Sequence, residues 1–210
     1  MIDFNKITPY NDLNHEDLEK HAKNCESCEL FADRQNVVFY SGNTKANLML
    51  VGEGPGQQED EQGIPFVGRS GKLLTKILES VEINRDDIYI ANTVKCRPPN
   101  NRTPLPTEMD ICRDYLVRQI QIIQPKIICL LGTAAMKSIL GPTESITKIR
   151  GKWITTPVNY MDEELYIMPI FHPSYLLRNS SKEKGAPKWL TWQDMKEVKA
   201  ALSFYDIMSK

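Results

Sequence analysis

Residues 47–56 read Asn-Leu-Met-Leu-Val-Gly-Glu-Gly-Pro-Gly, an apolar run that stops at a glycine-rich turn. A short apolar run bounded by turn residues predicts a buried β-strand, here from Asn47 to Gly52. Three further apolar runs occur along the chain, at Asp87–Thr93, Lys126–Leu131 and Leu165–Phe171. The stretch at 47–56 therefore predicts a fold built on a sheet of short, buried strands.

Segments with apolar residues at helical spacing alternate with these strands, at Ser70–Val81, Pro106–Gln124, Thr133–Leu140 and Trp189–Met208. The second begins with a proline followed by acidic residues, which favours a helix start, and it ends before Pro125. Alternating strands and helices predict an α/β fold with a mostly parallel sheet covered on both faces. A length of 210 residues, with 41% hydrophobic and 25% charged residues, is typical of one globular domain, assigned to 1–210.

The three most unusual segments each begin where a predicted strand ends. They are Gly52–Gly56, Asn92–Arg102 and His172–Arg178. Ligands of open parallel sheets bind at the carboxyl ends of the strands, so these segments are expected to converge on one site. The glycine-rich turn has no Lys-Ser/Thr after it, which excludes a nucleoside-triphosphate loop.

Four of the five cysteines form a pattern that predicts a metal centre: Cys25, Cys28, Cys96 and Cys112. Two residues between the first pair let both sulfurs reach one centre, and thiolates select zinc or an iron–sulfur cluster. Both metals stay open on spacing alone. The chain opens without a secretion leader, so disulfides are not expected. Cys129 lies within an apolar strand and is predicted to be a core residue.

The charge balance gives no strong indication of a partner, because the formal net charge is −1. A nucleic-acid partner would need local basic patches, and Lys95–Arg102 and Lys182–Lys188 are candidates. The sequence has no apolar run of the roughly 20 residues needed to span a bilayer. We therefore expect a soluble, intracellular protein, either cytoplasmic or nucleoid-associated.

Together with the four cysteines, four motifs resemble those of the family 4 uracil-DNA glycosylases, the iron–sulfur branch of that superfamily. The motifs are Gly52–Asp60, Gly63–Gly68, Asn92–Pro99 and His172–Arg178, and the resemblance covers nearly the whole chain. It implies a three-layer αβα fold with a central four-stranded, mostly parallel sheet. It also implies a [4Fe–4S] cluster on Cys25, Cys28, Cys96 and Cys112.

The resemblance implies a monofunctional enzyme that flips uracil out of double- or single-stranded DNA and hydrolyses its N-glycosidic bond. The product is an abasic site for base excision repair, and extruding the base costs about a few kcal/mol. Phe66 matches the family residue that stacks on the base, and His172 matches the donor to uracil O2. The amide of Asn92 can donate to O4 and accept from N3–H, a pattern that cytosine reverses.

The glycine-rich turn is expected to approach the base and the sugar closely through the backbone of Gly54 and Gly56. Gly54 stands where the best-known glycosylase family has an aspartate, so this chain has no carboxylate base there. Backbone carbonyls and Glu53 are instead expected to position the attacking water. Glu59 is a candidate for excluding thymine.

The last motif is expected to contact DNA. Ser174 and Arg178 are predicted to bind phosphates, and Leu176 matches the residue that wedges into the vacated base stack. Ordinary helix packing also fits Leu176 and Leu177, and at least one of them is expected in the core. The cluster is expected to hold the loop after Asn92 so that three basic residues face DNA, namely Lys95, Arg97 and Arg102.

Two other functions compete with this interpretation. One is a related glycosylase that traps itself on DNA through a histidine in an inserted basic loop, but Val67–Lys72 contains neither insert nor histidine. The other is a non-catalytic, metal-stabilised DNA-binding module. No lysine stands in the glycine-rich motif Gly52–Asp60 or in the last motif, His172–Arg178, to support strand cleavage. The protein is expected to be a monomer, and its last segment, Trp189–Lys210, is expected to pack on the sheet, with docking of a repair partner as the alternative.

Overall fold

A computed structural model describes residues 1–208, and the apolar run at 47–56 lies at the centre of its sheet. Within those residues the sheet has six strands: β1 (Ser41–Gly42), β2 (Leu48–Gly52), β3 (Tyr89–Asn92), β4 (Ile127–Leu131), β5 (Ile154–Thr156) and β6 (Leu165–Ile170). All residues of β2, β3 and β4 are buried. The four predicted strands are therefore confirmed.

The strand order is β1-β3-β2-β4-β6-β5, and the inner four strands are parallel. Val51 of β2 lies opposite Ala91 of β3 on one side and Leu130 of β4 on the other. The expected four-stranded parallel sheet is thus confirmed as the centre of a larger, mixed sheet. The two antiparallel edge strands, β1 and β5, were not predicted, since runs of two or three residues carry no readable periodicity.

Eight α-helices occur in residues 1–208. They are α1 (His15–Lys23), α2 (Gln57–Gln62), α3 (Arg69–Glu79), α4 (Pro106–Ile123), α5 (Gly132–Leu140), α6 (Ile146–Ile149), α7 (Pro173–Arg178) and α8 (Pro187–Met208). The four predicted helices correspond to α3, α4, α5 and α8, with ends that agree to within two residues. The last residues of the predicted closing segment, 209–210, lie outside the described residues. No described helix combines the length and apolar composition needed to cross a membrane.

Alternate residues of each inner strand pack into different cores, as expected for a sheet covered on both faces. Leu48 and Leu50 pack toward α3 and α8, whereas Met49 and Val51 pack toward α4 and α5. Cys129 is fully buried in the first of these cores, and burial raises the pKa of its thiol to about 12. Its assignment as a core cysteine is confirmed.

Candidate active site

The carboxyl ends of the four inner strands open into one cavity of about 460 Å³. All three of the unusual segments at the strand ends contribute to its lining, which confirms that they converge. The predicted residues on its wall are Glu53, Gly54, Gly56, Glu59, Phe66, Asn92, Arg102, His172, Ser174 and Arg178. These residues meet because the loops after parallel strands all leave from the same edge of the sheet.

Asn92 ends β3 and places its amide beside the cavity. The residue is only 1% exposed, and its Oδ1 atom has no hydrogen-bond partner among the described residues. An unpaired buried amide oxygen costs about 1–3 kcal/mol, so such atoms are rare outside functional sites. Gly52 makes the position possible, because a Cβ there would lie 2.4 Å from Oδ1.

Phe66 forms a fixed aromatic wall of the cavity. Its φ angle is +56°, a left-handed conformation that is strained for an aromatic residue. Gly71 of α3 packs against its backbone so closely that a Cβ at residue 71 would lie 1.8 Å from the Phe66 carbonyl oxygen. The next two backbone N–H groups, of Val67 and Gly68, both donate to Oε1 of Glu59, at 2.9 and 2.7 Å. The loop therefore holds the backbone of Phe66, from which the ring extends, in one conformation.

His172 lies across from this wall, with its ring centroid 5.9 Å from that of Phe66. It is the N-cap of α7, and its Nδ1 accepts the backbone N–H of Ser174 at 3.1 Å. The Ser174 hydroxyl also lies 2.8 Å from Nδ1. Because Nδ1 is an acceptor, the neutral ring carries its proton on Nε2. Burial, and secondarily the charge of Arg178, lowers the pKa of His172 to about 4.

Glu53 and the glycine that comes after it shape another part of the cavity. Burial raises the pKa of the Glu53 carboxyl, and a hydrogen bond with Thr103 opposes that rise. The Glu53 carbonyl accepts from the Thr93 hydroxyl at 2.5 Å and from the Val94 N–H at 3.3 Å. A Cβ at Gly54 would lie 2.8 Å from a Val94 methyl group, so a side chain there would collide with the loop after β3.

Sequence reasoning missed Ser70, Pro104 and two larger parts of the cavity wall. The first is Gly132–Ala134 after β4; Gly132 has φ +86° and leaves no room for a Cβ beside His172, the nearest atom being 2.7 Å away. The end-of-strand rule applied to β4 would have found it. The second is Ile146–Thr147 of α6, a four-residue helix without a sequence signal.

The last motif needs one correction. Leu176 is 0% exposed, so the prediction that it wedges into a base stack is wrong for this conformation: a side chain inside the core offers no surface to DNA. The expectation that one of the two leucines is a core residue is confirmed. Leu177, next along α7, is 36% exposed. The neighbouring Arg178 is exposed at the rim of the cavity.

The four metal-pattern cysteines line one small cavity between α1, α4 and the loop after β3. Arg34 reaches this cavity, donating to Cys96 Sγ at 3.3 Å and to the Cys25 carbonyl at 2.6 Å. Burial raises the pKa of Cys112 to about 12, so its thiolate needs nearby positive charge. Within residues 1–208, no group of three His, Cys, Asp or Glu side chains is arranged to hold a metal ion.

The basic patch predicted at Lys95–Arg102 also needs correction. Lys95 is 2% exposed and cannot face DNA, because its ammonium is bound inside the protein to Asn92 and Gln119. Burial lowers the pKa of Lys95 to about 8. Arg102 is paired with Glu108 through two contacts at 2.6 and 2.8 Å, and Arg97 donates to Asn101 at 2.8 Å. Of the three basic residues, only the two arginines keep surface that DNA could reach.

Comparison with known proteins agrees with this geometry. Residues 39–196 match the family model described as the uracil DNA glycosylase superfamily. A Type-4 uracil-DNA glycosylase of Thermotoga maritima is 47% identical over 79% of this chain and 84% of that protein.

Two archaeal proteins carry the same description. The Type-4 uracil-DNA glycosylase of Sulfurisphaera tokodaii is 42% identical over 80% of this chain and 78% of its own. That of Saccharolobus solfataricus is 40% identical over 89% of this chain and 85% of its own. Given these matches and the cavity at the strand ends, the chain belongs to the uracil DNA glycosylase superfamily, within its type-4 group.

Proposed function

We propose that this protein excises uracil from DNA by hydrolysing the N-glycosidic bond, which leaves an abasic site for base excision repair. One observation carries the proposal. The Asn92 Oδ1 atom is buried at the cavity formed by the strand ends and has no hydrogen-bond partner among the described residues. A planar base with one N–H donor, facing that oxygen, would satisfy it. Uracil N3–H is such a donor, whereas N3 of cytosine is an acceptor.

Phe66 and Asn92 together account for recognition of an extruded uracil. The Phe66 ring would stack on one face of the base, because its left-handed backbone and the Glu59 contacts keep it in place. The Asn92 amide would then read N3–H and O4 along the edge. Cytosine would leave buried polar groups unpaired, a mismatch that discriminates strongly. Glu59 lines the same cavity and, held by two N–H groups, is our candidate for the wall that excludes thymine.

His172 would stabilise the departing base. Bond cleavage places negative charge on uracil O2, and a donor fixed at that point lowers the barrier. The hydrogen bond from Ser174 N–H to Nδ1 supports this role, because it leaves the proton on Nε2. Glu53 and the backbone at Gly54 and Gly56 would position the water that attacks the sugar. Such a transition state develops positive charge on the sugar and demands little activation of the nucleophile.

The four cysteines have the donor chemistry for a [4Fe–4S] cluster, and we propose that Cys25, Cys28, Cys96 and Cys112 hold one. All four line the same cavity, thiolates suit iron–sulfur clusters, and the nearby Arg34 guanidinium offsets negative charge. Bound there, the cluster would serve as a structural crosslink that fixes the loop after β3 against α1 and α4.

Replacing one cluster cysteine should release iron, whereas replacing the core cysteine should not. Cys112→Ala and Cys129→Ala are matched variants, since each removes one thiol whose pKa burial raises to about 12. We expect the iron content and the visible absorption of an iron–sulfur cluster to be lost in Cys112→Ala and kept in Cys129→Ala. Metal analysis that finds one zinc ion in the wild type, without visible absorption, would contradict the cluster.

Leu177 replaces Leu176 as our candidate for the side chain that enters the base stack, with Ser174 and Arg178 contacting phosphates. We expect Leu177→Ala to slow excision from duplex DNA and to leave excision from single strands unchanged, because only the duplex has a stack to hold open. Single-turnover rates on the two substrates measure this. Equal losses on both would argue against a wedge. Leu176→Ala serves as the contrast, since emptying a core site should cost about 2–5 kcal/mol of stability.

The rate of excision should change little between pH 8 and pH 5, because burial lowers the pKa of His172 to about 4 and the ring does not titrate in that range. The neutral ring persists over that range. In the unfolded chain the same group takes up a proton below its ordinary value of 6.5. The neutral His172 ring therefore makes its whole contribution to the stability of the folded protein above pH 6.5. This contribution is lost as the pH falls from 6.5 toward about 4. His172→Gln should lose less thermal stability than wild type between pH 6.5 and 5. An activity loss centred near pH 6.5 in single-turnover assays would contradict the shift.

The proposal is tested with an oligonucleotide that carries one uracil, incubated with cluster-loaded protein and then treated with alkali. Breakage at the uracil, absent from matched strands with cytosine or thymine, is the expected result. Failure of the loaded protein to break any strand would favour the non-catalytic DNA-binding module. That alternative has less support, because Lys95 of its predicted basic surface is buried. We propose that the protein works as a monomer, since all the residues with a role in the proposed reaction belong to one chain. We also propose that it works inside the cell, where its DNA substrate lies.

A further inference from the structure

Lys95 is a buried charge that contacts both the candidate active site and the cysteine cavity. Its Nζ donates to the Asn92 carbonyl at 2.8 Å and to Gln119 Oε1 at 2.5 Å. Lys95 also lines the cysteine cavity, where its backbone lies close to Cys112. A buried ammonium is costly unless its donors are matched, so the two acceptors placed around this one indicate a specific use.

Gln119 makes the other end of this contact rigid. The residue is 0% exposed on α4, and its Nε2 donates to the Tyr89 hydroxyl at 2.7 Å and to the Phe39 carbonyl at 3.1 Å. Every polar atom of the amide is therefore engaged. Gln119 binds both the Lys95 ammonium and Tyr89, the first residue of β3, while the ammonium itself binds Asn92, the last residue. Lys95 is therefore fixed relative to both ends of the strand.

The position of the Asn92 side chain depends on this arrangement. Asn92 is the last residue of β3. Beyond it, the Thr93 and Val94 N–H groups still donate to the carbonyls of Gly52 and Glu53, while the Asn92 carbonyl accepts from Lys95. The Asn92 amide oxygen has no partner of its own among the described residues. With no hydrogen bond to Oδ1, the position of this side chain depends on its packing against Gly52 and on the backbone to which it is attached.

We propose that Lys95 is a positioning residue for uracil excision, which holds the end of β3 so that the Asn92 amide faces the cavity. The same residue ties this strand end to the cysteine cavity through its backbone contact with Cys112. The inference rests on the proposed function of the site. It replaces the expectation that Lys95 contacts DNA.

The test is a Lys95→Met variant, which keeps the length of the side chain and removes the ammonium. We expect kcat/KM for uracil excision to fall about 10- to 100-fold, since small displacements of a substrate-binding group cost rate on that scale. Lys45→Met is the matched control, because Lys45 is exposed in the turn before β2, at the opposite end of the sheet, and should leave activity unchanged. All rates are expressed per iron-loaded protein.

A double-mutant cycle separates positioning from a general structural effect. If Lys95 acts through Asn92, adding Lys95→Met to Asn92→Ala should lower kcat/KM little further, because the group that Lys95 positions is already absent. Losses that multiply in the double variant would overturn the proposal. So would a Lys95→Met protein whose activity per iron-loaded molecule equals that of wild type.

Gln119→Met provides a second route to the same answer if Lys95→Met does not fold. It keeps the ammonium and its bond to the Asn92 carbonyl but removes the second acceptor, so we expect a smaller loss that also vanishes in the Asn92→Ala background. A loss that persists there would overturn the proposal. Wild-type protein that breaks no uracil strand would instead refute the proposed function itself, which keeps the two failures distinct.

Discussion

Replacing His172 by alanine should lower the rate of uracil excision about 100- to 1,000-fold, the usual cost of removing one donor from a developing negative charge. The structure supports a large effect because the ring is fixed on three sides. Ser174 binds Nδ1, Gly132 packs on Cβ, and the Phe66 ring lies 5.9 Å away. The measurement is the single-turnover rate of uracil release at saturating protein.

Binding to DNA and iron content should be unchanged in His172→Ala, because the residue lies neither at the cysteine cavity nor on the exposed rim of α7. The N-cap of α7 is lost, at a cost of about 1 kcal/mol, which a thermal melt can follow separately. Excision at the wild-type rate would remove His172 from the mechanism. A matching loss of DNA binding would point to collapse of the site instead.

Replacing Asn92 by alanine should lower kcat/KM for uracil about 100-fold or more. Each hydrogen bond lost in a buried site is worth about 1–3 kcal/mol, and about 1.4 kcal/mol is a factor of ten. Thermal stability should stay equal or rise, because the variant removes a buried oxygen that has no partner among the described residues. Activity and stability would then move in opposite directions, as expected for a residue kept for function.

Asn43→Ala is the control for this variant. Asn43 is exposed in the turn after β1, at the far end of the sheet, and its loss should leave excision unchanged. The rates are compared on uracil and cytosine strands. A fall in the stability of Asn92→Ala, with no change in its preference for uracil, would mean that Asn92 only supports the strand.

The fold and the place of the site could be predicted because both depend on local patterns. Four apolar runs are long enough to identify the inner strands, and the unusual residues come directly after three of them. The same rule extends to Gly132 after β4. Strands β1 and β5 carry too few residues to show a period, and their pairing depends on the sheet already being present.

The wrong predictions concern which way a side chain points. The basic run Lys95–Arg102 predicts that Lys95 faces DNA, but its ammonium instead binds Asn92 and Gln119, which lie in different elements. Leu176 and Leu177 are adjacent, and a six-residue helix gives no reliable phase from sequence. The orientation of Lys95 depends on Gln119, 24 residues away, and that of the two leucines on the packing of α7 against α3.

The arrangement of the four cysteines has a consequence for biosynthesis. Cys25 and Cys28 leave the ribosome well before Cys112, which lies within α4. At a synthesis rate of about 5–20 residues per second, the interval is on the order of ten seconds. During that time the nascent chain exposes a pair of thiols for which Cys96 is made late and Cys112 last. If these cysteines hold the proposed cluster, maturation requires a late step, in which α1 and α4 close around it only after more than half of the chain has been made.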